Sequence, residues 1–170
     1  VWPGSWIVYD SNEANGYDYW GDYSGKSYVG SWSGYCADEG VHPGGSGYDD
    51  YMDAYMYRNV SLSGYSSVTL SYYYWLSCEY NYDYLDVTYF DGSWHYVDKH
   101  TGNISAWQYS SVSIPTSAVY VGLHFHSDVS ICYYPGAFVD EVRLTGIPQV
   151  PNNSVHEYDN DMEAYMYHSV

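Results

Sequence analysis

The sequence predicts an all-β protein on three observations. The 170 residues include 26 Tyr, 7 Trp and 16 Gly, and aromatic residues favour the pleated, half-buried surface of a sheet. Apolar residues alternate with period two in several short segments, as in strands with one buried face. Turn-forming Gly, Ser and Asn separate these segments at roughly ten-residue spacing. Together they predict a jelly-roll β-sandwich, followed by a C-terminal extension strand.

The predicted strands lie between residues 5 and 146. In the predicted strand 51–57, Met52, Ala54 and Met56 share one face. A long loop region over 11–47 is expected to hold one or two short strands near 27–32. Outside this loop region, the predicted strands are 5–10, 51–57, 68–76, 84–90, 94–97, 107–114, 119–125 and 138–144.

Charge and cysteine content limit the partners and the compartment. The chain has 4 Lys+Arg against 21 Asp+Glu, a formal net charge of −17. Such an acidic chain is a poor partner for nucleic acid or anionic membrane surfaces. It has no apolar run of about 18 residues for membrane insertion, and its acidic charge fits a soluble surface protein. Cys36, Cys78 and Cys132 allow one disulfide with a free thiol, or three reduced thiols.

Two aspartates are candidate calcium ligands. Asp10 is in phase with Trp6 in the first strand, and Asp140 is in phase with Phe138 and Leu144 in the last. An isolated buried carboxylate is costly, so each is expected to be paired, hydrogen-bonded or metal-bound. First and last strands of a jelly roll are often neighbours, which would bring the two together, and oxygen ligands suit Ca²⁺. The alternative is that both accept backbone N–H bonds.

Other polar clusters have ordinary explanations. Glu79, Asp83 and Asp86 flank a Tyr-rich hairpin and are expected to form a solvated acidic edge rather than a glycosidase pair. His124 and His126 share one face of a strand, opposite the apolar phase, and are expected to be solvent-side or sheet-packing histidines. No catalytic sequence motif occurs, so an enzyme is not predicted.

Surface modification and sugar binding are further predictions. Asn59, Asn103 and Asn152 begin Asn-x-Ser sequons, which are glycosylation acceptors in secreted proteins; chance occurrence in a Ser-rich chain is the alternative. Exposed aromatic rings could also stack on sugar rings. The tryptophans considered for this role are Trp20, Trp32, Trp94 and Trp107.

An internal repeat distinguishes the C-terminal segment. Residues 158–170 (YDNDMEAYMYHSV) match residues 48–60 (YDDYMDAYMYRNV) at eight of thirteen positions: Tyr, Asp, Met, Ala, Tyr, Met, Tyr and Val. All four methionines of the chain lie in these two copies. Residues 147–157 between the domain and the second copy contain Pro148 and Pro151, which predict an extended connector.

The region 5–146 resembles the jelly-roll domains found beside immune-inhibitor-A-type secreted metalloproteases and similar MAM-like accessory domains of bacterial surface proteins. The resemblance implies a β-sandwich, secretion, a structural calcium ion in many members, and an accessory or adhesive role without catalysis. It is carried by YWGD at 19–22, SYVGSWSGYCA at 27–37, YDDYMDAYMYRNVSLSG at 48–64, EYNYDYLDV at 79–87, the turn at 91–92, HFHSDVS at 124–130 and GAFVDEVRL at 136–144.

Three hypotheses account for the tail. It could add a strand to its own domain, begin another repeat, or leave along the connector and add to a sheet edge of the next subunit. The third is preferred, because a copy of a core strand is already shaped to fit this sandwich. Head-to-tail addition generates an open homopolymer. The residues predicted to contact the partner are Tyr158, Met162, Ala164, Tyr165, Met166, Tyr167 and Val170.

The sequence therefore predicts three segments: a jelly-roll domain over 1–146, a linker over 147–157 and a donor strand over 158–170. The leading function is a structural subunit of an extracellular filament that polymerises by donating its C-terminal strand. The alternative is a carbohydrate-binding or adhesive accessory module of a larger secreted surface protein, with glycans as partners.

Overall fold

The computed structural model describes residues 6–12, 18–39 and 47–150; the predicted linker beyond Val150 and the tail strand 158–170 lie outside these ranges. The described residues form strands joined by turns and loops. The strands are β1 (Ile7–Asp10), β2 (Tyr19–Tyr23), β3 (Ser33–Glu39), β4 (Asp53–Asn59), β5 (Tyr65–Ser77), β6 (Tyr84–Phe90), β7 (Trp94–His100), β8 (Asn103–Ile114), β9 (Tyr120–His126) and β10 (Gly136–Pro148).

Two five-stranded antiparallel sheets form the sandwich. Sheet A has the order β1-β4-β9-β6-β7, and sheet B has the order β2-β3-β10-β5-β8. All strand pairs are antiparallel. The all-β sandwich predicted from the sequence is confirmed. None of the described residues belongs to a helix that could span a membrane.

The core lies between the sheets and follows the period-two pattern. Met56 of β4 and Leu123 of β9 face it from sheet A, and Leu70, Tyr72 and Leu76 of β5 face it from sheet B; all five are buried. Removing each such side chain from water stabilises the fold by about 1.5–3 kcal/mol. The inward faces predicted for these strands are confirmed.

A β-bulge in β10 reverses which residues face the core. Val139 pairs with Tyr74 before the bulge, and Leu144 pairs with Leu70 after it. Both partners on β5 face inward, so the inward positions of β10 change from odd to even numbers. Glu141, at the bulge, has φ of 51°, a left-handed conformation that accommodates the extra residue.

Because of the bulge, the prediction that Asp140 faces inward with Val142 and Leu144 is wrong. Asp140 does share a face with Phe138, but not with Val142 and Leu144, which lie beyond the bulge. The strand partner of Asp140 is Tyr73, on the outer face of sheet B. Asp140 therefore points away from the core, whereas an unbroken alternation would have placed it there.

Two strand boundaries and one strand pairing also differ from the sequence prediction. Residues 27–32 form turns, and the strand expected there is β3, starting at Ser33. Gly30 and Ser31 form the turn that precedes β3, so regular strand pairing begins only at Ser33. β10 continues to Pro148, two residues beyond the expected end of the domain. β1 pairs with β4 rather than with the last strand.

The three cysteines are free thiols. Cys36 and Cys78 are buried in the core, and Cys132 is half-buried. Burial raises the pKa of Cys78 to about 12, so this thiol is unreactive at neutral pH. Of the two alternatives left open by the sequence, the structure has the three reduced thiols.

Candidate functional site

A cleft of about 450 Å³ opens on the outer face of sheet A. Its floor crosses the middle strands β4, β9 and β6, which contribute Asp53, His124 and Asp86. Tyr96 and Lys99 of the edge strand β7 line one side. Outward side chains of neighbouring antiparallel strands lie side by side, so the register alone gathers acids, an imidazole, a phenol and an amine in one recess.

Strand β9 positions both histidines. Val121, Leu123 and Phe125 face the core, which leaves His124 and His126 on the outer face. Their predicted face is confirmed. His124 is nevertheless only 4% exposed, since side chains from the adjacent strands cover it.

Two carboxylates flank His124. Its Nε2 lies 2.5 Å from Asp53 Oδ1, and its Nδ1 lies 3.5 Å from Asp86 Oδ2. Burial alone would lower the pKa of His124, but the hydrogen bond to Asp53 and the charge of Asp86 outweigh burial, so the pKa is raised above 6.5. His124 therefore retains its proton more strongly than an ordinary histidine does.

The pKa of the second histidine, His126, is shifted in the opposite direction. The rings of His126 and His124 stack with centroids 5.3 Å apart. Burial and the neighbouring positive charge of His124 together lower the pKa of His126. His126 is consequently neutral at pH 7 and can both donate and accept a hydrogen bond.

Two buried polar atoms in the cleft lack hydrogen-bond partners among the described residues. They are Asp86 Oδ1 and His124 Nδ1; the ion pair between these residues does not form a hydrogen bond. Buried polar atoms in folded proteins nearly always have a partner. Both atoms are enclosed by their neighbours, so the polar groups that a ligand can reach from solvent are those of Asp53 and Lys99.

Aromatic rings form the wall of the cleft. Tyr55 stacks on His124 with centroids 4.1 Å apart, and its hydroxyl lies 2.6 Å from that of Tyr96. Tyr96 is 49% exposed and Trp94 is 37% exposed. A second recess of about 260 Å³ adjoins them and is lined by Tyr9, Tyr55 and Trp94. Sheet A thus presents a continuous aromatic path of two recesses that share Tyr55.

Lys99 is the amine at this site. Its Nζ lies 3.4 Å from the ring centroid of Tyr84, a cation–π contact. Tyr84 in turn stacks on His126 at 5.0 Å. These contacts hold the ammonium group beside the cleft, where it can donate to a ligand oxygen.

The four tryptophans considered for sugar stacking lie in different places. Trp94 lies beside the cleft, Trp32 is exposed in the turn before β3, and Trp107 is half-buried on sheet B, 6.0 Å from Tyr28. Trp20 is 2% exposed, so its suggested role as a surface platform is wrong. It belongs to the core.

The carboxylates near the 79–87 hairpin do not form a solvated edge. Asp83 is buried and accepts hydrogen bonds from the Tyr48 hydroxyl, from Asp128 N at 2.9 Å and from Glu79 N at 3.2 Å. Asp86 is also buried, in the cleft. That expectation was wrong because loops and neighbouring strands cover both side chains. Burial raises the pKa of Asp83 despite the Tyr48 hydrogen bond.

Asp10 and Asp140 do not meet. Asp10 faces inward from sheet A and accepts from Asn12 N at 2.8 Å and Asp18 N at 3.2 Å. Asp140 lies on the outer face of sheet B and accepts from Tyr28 N at 2.9 Å. Backbone N–H groups donate to both carboxylates, and the two residues lie on different sheets, so the structure does not bring the two predicted calcium ligands together.

Other acidic groups do converge. Among the described residues, Glu79, Asp83 and Asp128 offer carboxylate oxygens within 4.8 Å of one another. They would provide three of the six to eight oxygens that Ca²⁺ requires. Calcium binding stays a prediction.

The sequons lie at strand ends. Asn59 ends β4 and Asn103 begins β8; both are exposed. Asn152 lies outside the described residues. Their glycosylation stays a prediction.

Comparison with known proteins identifies the fold but no family. No protein-family model matches the sequence, and no curated protein matches it. Among solved structures, the chain is similar to the K2 cleaved adhesin domain of Lys-gingipain, with a TM-score of 0.61, 16% identity, and coverage of 84% of this chain and 91% of that one.

Two carbohydrate-binding modules are also similar. TmCBM61, solved in complex with β-1,4-galactotriose, has a TM-score of 0.55 and 11% identity, covering 84% of this chain and 89% of the module. The CBM22-1 xylan-binding domain of Paenibacillus barcinonensis Xyn10C has a TM-score of 0.52 and 11% identity, covering 87% and 89%. The chain therefore has the β-sandwich fold of adhesin and carbohydrate-binding domains.

Proposed function

We propose that this protein is an extracellular, non-catalytic binding module, and that the cleft on sheet A binds a carbohydrate chain. The observation that carries the proposal is that the cleft places the accessible carboxylate of Asp53 and the ammonium of Lys99 beside the exposed ring of Tyr96. A sugar presents both hydroxyl groups and an apolar ring face, and it matches both surfaces. The adhesin and carbohydrate-binding domains of the same fold support this proposal.

The electrostatics of the cleft support binding rather than hydrolysis. A glycosidase needs one carboxyl group with a raised pKa to act as general acid. Hydrogen bonds from His124 and Ser11 outweigh burial and lower the pKa of Asp53. Asp53 is therefore ionised at neutral pH and serves as a hydrogen-bond acceptor rather than as an acid.

A glycan array followed by calorimetry tests the proposal. β-1,4-Galacto-oligosaccharides and xylo-oligosaccharides are the first probes, because two similar structures bind these classes. Tyr96→Ala is expected to weaken binding by about tenfold, the loss of roughly 1.4 kcal/mol. Tyr109→Ala is the matched control, since Tyr109 is 59% exposed, against 49% for Tyr96, but lies on sheet B. Failure to bind any glycan, or equal losses in both variants, contradicts the proposal.

We also propose self-assembly into an extracellular filament, and here the specific observation is the repeat of 48–60 at 158–170. In the first copy Met52, Ala54 and Met56 are buried in the core. The second copy has the same inward pattern in Met162, Ala164 and Met166. A segment with this pattern is suited to complete the sandwich of another subunit.

Removal of the tail tests self-assembly. The deletion should begin at residue 151, because β10 continues to Pro148 and pairs with β5 there. The truncated chain is expected to be a folded monomer, whereas the full chain forms fibres in electron micrographs. Fibres formed by the truncated chain, or a full chain that stays monomeric at every concentration, contradict self-assembly.

A further inference from the structure

We infer that one end of the sandwich is an acceptor groove for an added strand, and that its occupant is the 158–170 segment of a second copy. The inference rests on the self-assembly proposed above and names the surface that receives the tail. The groove is separate from the cleft on sheet A, since it opens between the two sheets.

The backbone edge of β10 is unequally covered. β5 pairs with β10 from Gly136 to Pro148, but β3 pairs with it only at Phe138 and Val139. Beyond the bulge, the edge of β10 on the β3 side pairs with no strand in the described part of the chain. Unpaired N–H and C=O groups at a sheet edge are a template for another strand.

An apolar groove of about 270 Å³ lies beside this edge. Leu70, Val142 and Leu144 line it from sheet B, and Trp6 and Val60 line it from the other side. Leu144 faces inward by its pairing with Leu70, yet it is 37% exposed. An inward leucine remains this accessible because no described strand pairs with this part of β10 on the β3 side.

The exposure of Arg58, on sheet A, also indicates that the sandwich is open to solvent at this end. It follows Met56 and Ala54 in the inward phase of β4. Its side chain is exposed, lines the groove and lies over the ring of Trp6 at 5.6 Å. A charged residue in an inward position needs solvent or a polar partner, and the open end of the sandwich provides it.

The side-chain pattern of the tail matches the groove. Met162, Ala164 and Met166 fall on one face of an extended strand, with small and flexible side chains in the order that Met52 and Met56 show in the core. A strand paired to the free edge of β10 would point this face at the apolar lining of the groove. The seven residues from 142 to 148 are long enough to pair with the five from 162 to 166.

The charges are also complementary. Arg143 lies on the outer face of β10 beside the free edge, and its side chain is 68% exposed. It is one of only four Lys and Arg residues in the chain. The tail has acids at alternate positions, on the face opposite its methionines: Glu157, Asp159, Asp161 and Glu163. Pairing along β10 brings this acidic face next to Arg143.

The course of the chain after β10 favours a second copy over the chain's own tail. Gln149 N donates to Gly64 O at 2.9 Å, so the chain still follows β5 beyond the last strand. Val150 is 89% exposed, and Pro151 favours an extended conformation for the residue before it. Up to Val150 the chain therefore lies on the β5 side of β10 rather than on the side of its unpaired edge.

Two blocked variants of the full chain test the inference. Leu144→Arg places a charge in the acceptor groove, and the double variant Met162→Glu, Met166→Glu places charges on the inward face of the donor. Each alone is expected to be a monomer by light scattering, whereas a mixture forms a dimer of one molecule of each. One intact groove and one intact donor remain in that mixture, so growth stops at two.

Controls separate the outcomes. Val8→Arg on β1, the end strand of sheet A among the described residues, should assemble like the unmodified chain. If it blocks assembly while Leu144→Arg does not, the assignment of the groove is overturned and self-assembly stands. Arg143→Glu, an exposed change that leaves the core intact, should weaken assembly, with recovery on Glu163→Lys. In an unmodified monomer, protection from hydrogen exchange of those 142–147 amides that do not bond to β5 would mean that the groove is filled within one chain, which overturns the second copy as occupant.

Discussion

Replacing Trp20 by phenylalanine is expected to destabilise the sandwich and leave glycan binding unchanged. Trp20 belongs to β2 of sheet B, and its indole Nε1 donates to Ala54 O of β4 in sheet A at 2.9 Å. This hydrogen bond joins the two sheets within the core. Phenylalanine removes the donor and leaves part of the indole volume empty.

The expected loss follows from these two contributions. A hydrogen bond of this kind contributes about 0.5–1.5 kcal/mol to stability. The smaller ring forfeits a few buried carbon atoms and leaves a cavity, at a cost of about 1–2 kcal/mol. The free energy of unfolding should therefore fall by about 1.5–3.5 kcal/mol. For a domain of this size, that lowers the melting temperature by roughly 4–10 °C.

Urea unfolding followed by far-UV circular dichroism measures this loss. Trp94→Phe is the matched control, because Trp94 is 37% exposed beside the cleft. Its free energy of unfolding should change by less than about 0.5 kcal/mol, while glycan affinity falls. If Trp20→Phe unfolds at the same urea concentration as the unmodified chain, the core position and the inter-sheet hydrogen bond of Trp20 are refuted.

Three further predictions concern charge and metal binding. The flanking carboxylates raise the pKa of His124, so its protonated form stabilises the fold below pH 6.5 and this stabilisation fades as pH rises through the raised pKa. His124→Gln should therefore lose more stability at about pH 5.5 than at about pH 8.5 in urea unfolding, and equal losses contradict this. Tyr48→Phe removes a donor to buried Asp83 and should cost about 1–3 kcal/mol; exposed Tyr80→Phe is the control, and equal effects would argue against the buried bond. Calcium binding predicts a higher melting temperature when CaCl₂ is returned to chelator-treated protein, and an unchanged temperature removes that prediction.

The strands were predictable because their alternation is local. The segment 84–90 was predicted from in-phase Leu85 and Val87, and it is β6 with the same bounds. The inward face of β5 follows from Leu70, Tyr72 and their neighbours in the same way. One buried face imposes a period of two on the sequence, and a period of two can be detected without knowing the partner strand.

The cleft was not predictable, because it depends on register between distant strands. Asp53 and His124 are 71 positions apart and meet only through pairing of β4 with β9. Asp86 reaches the same place through β6. The sequence signal available was limited to polar residues in the outward phase of strands, which is also the ordinary pattern of a solvated face. Burial of His124 by Tyr55 follows from the assembled sheet.

The sequence contains even less indication of the bulge at Glu141. Its left-handed backbone is usual for glycine, yet a glutamate occupies it. Uninterrupted alternation through Phe138, Asp140 and Leu144 was therefore the natural prediction, and the extra residue was visible only in the pairing of β10 with β5.

That extra residue makes β10 tolerant of a length change at one point. Deleting Glu141 would remove the bulge and let Val142 and Leu144 continue the alternation that Val139 begins, so both would still face the core and Arg143 would still face outward. A substitution at position 141 keeps the bulge, whereas the deletion would straighten the strand without exchanging any face. Homologous sequences are therefore expected to tolerate both replacement and loss of the residue at position 141.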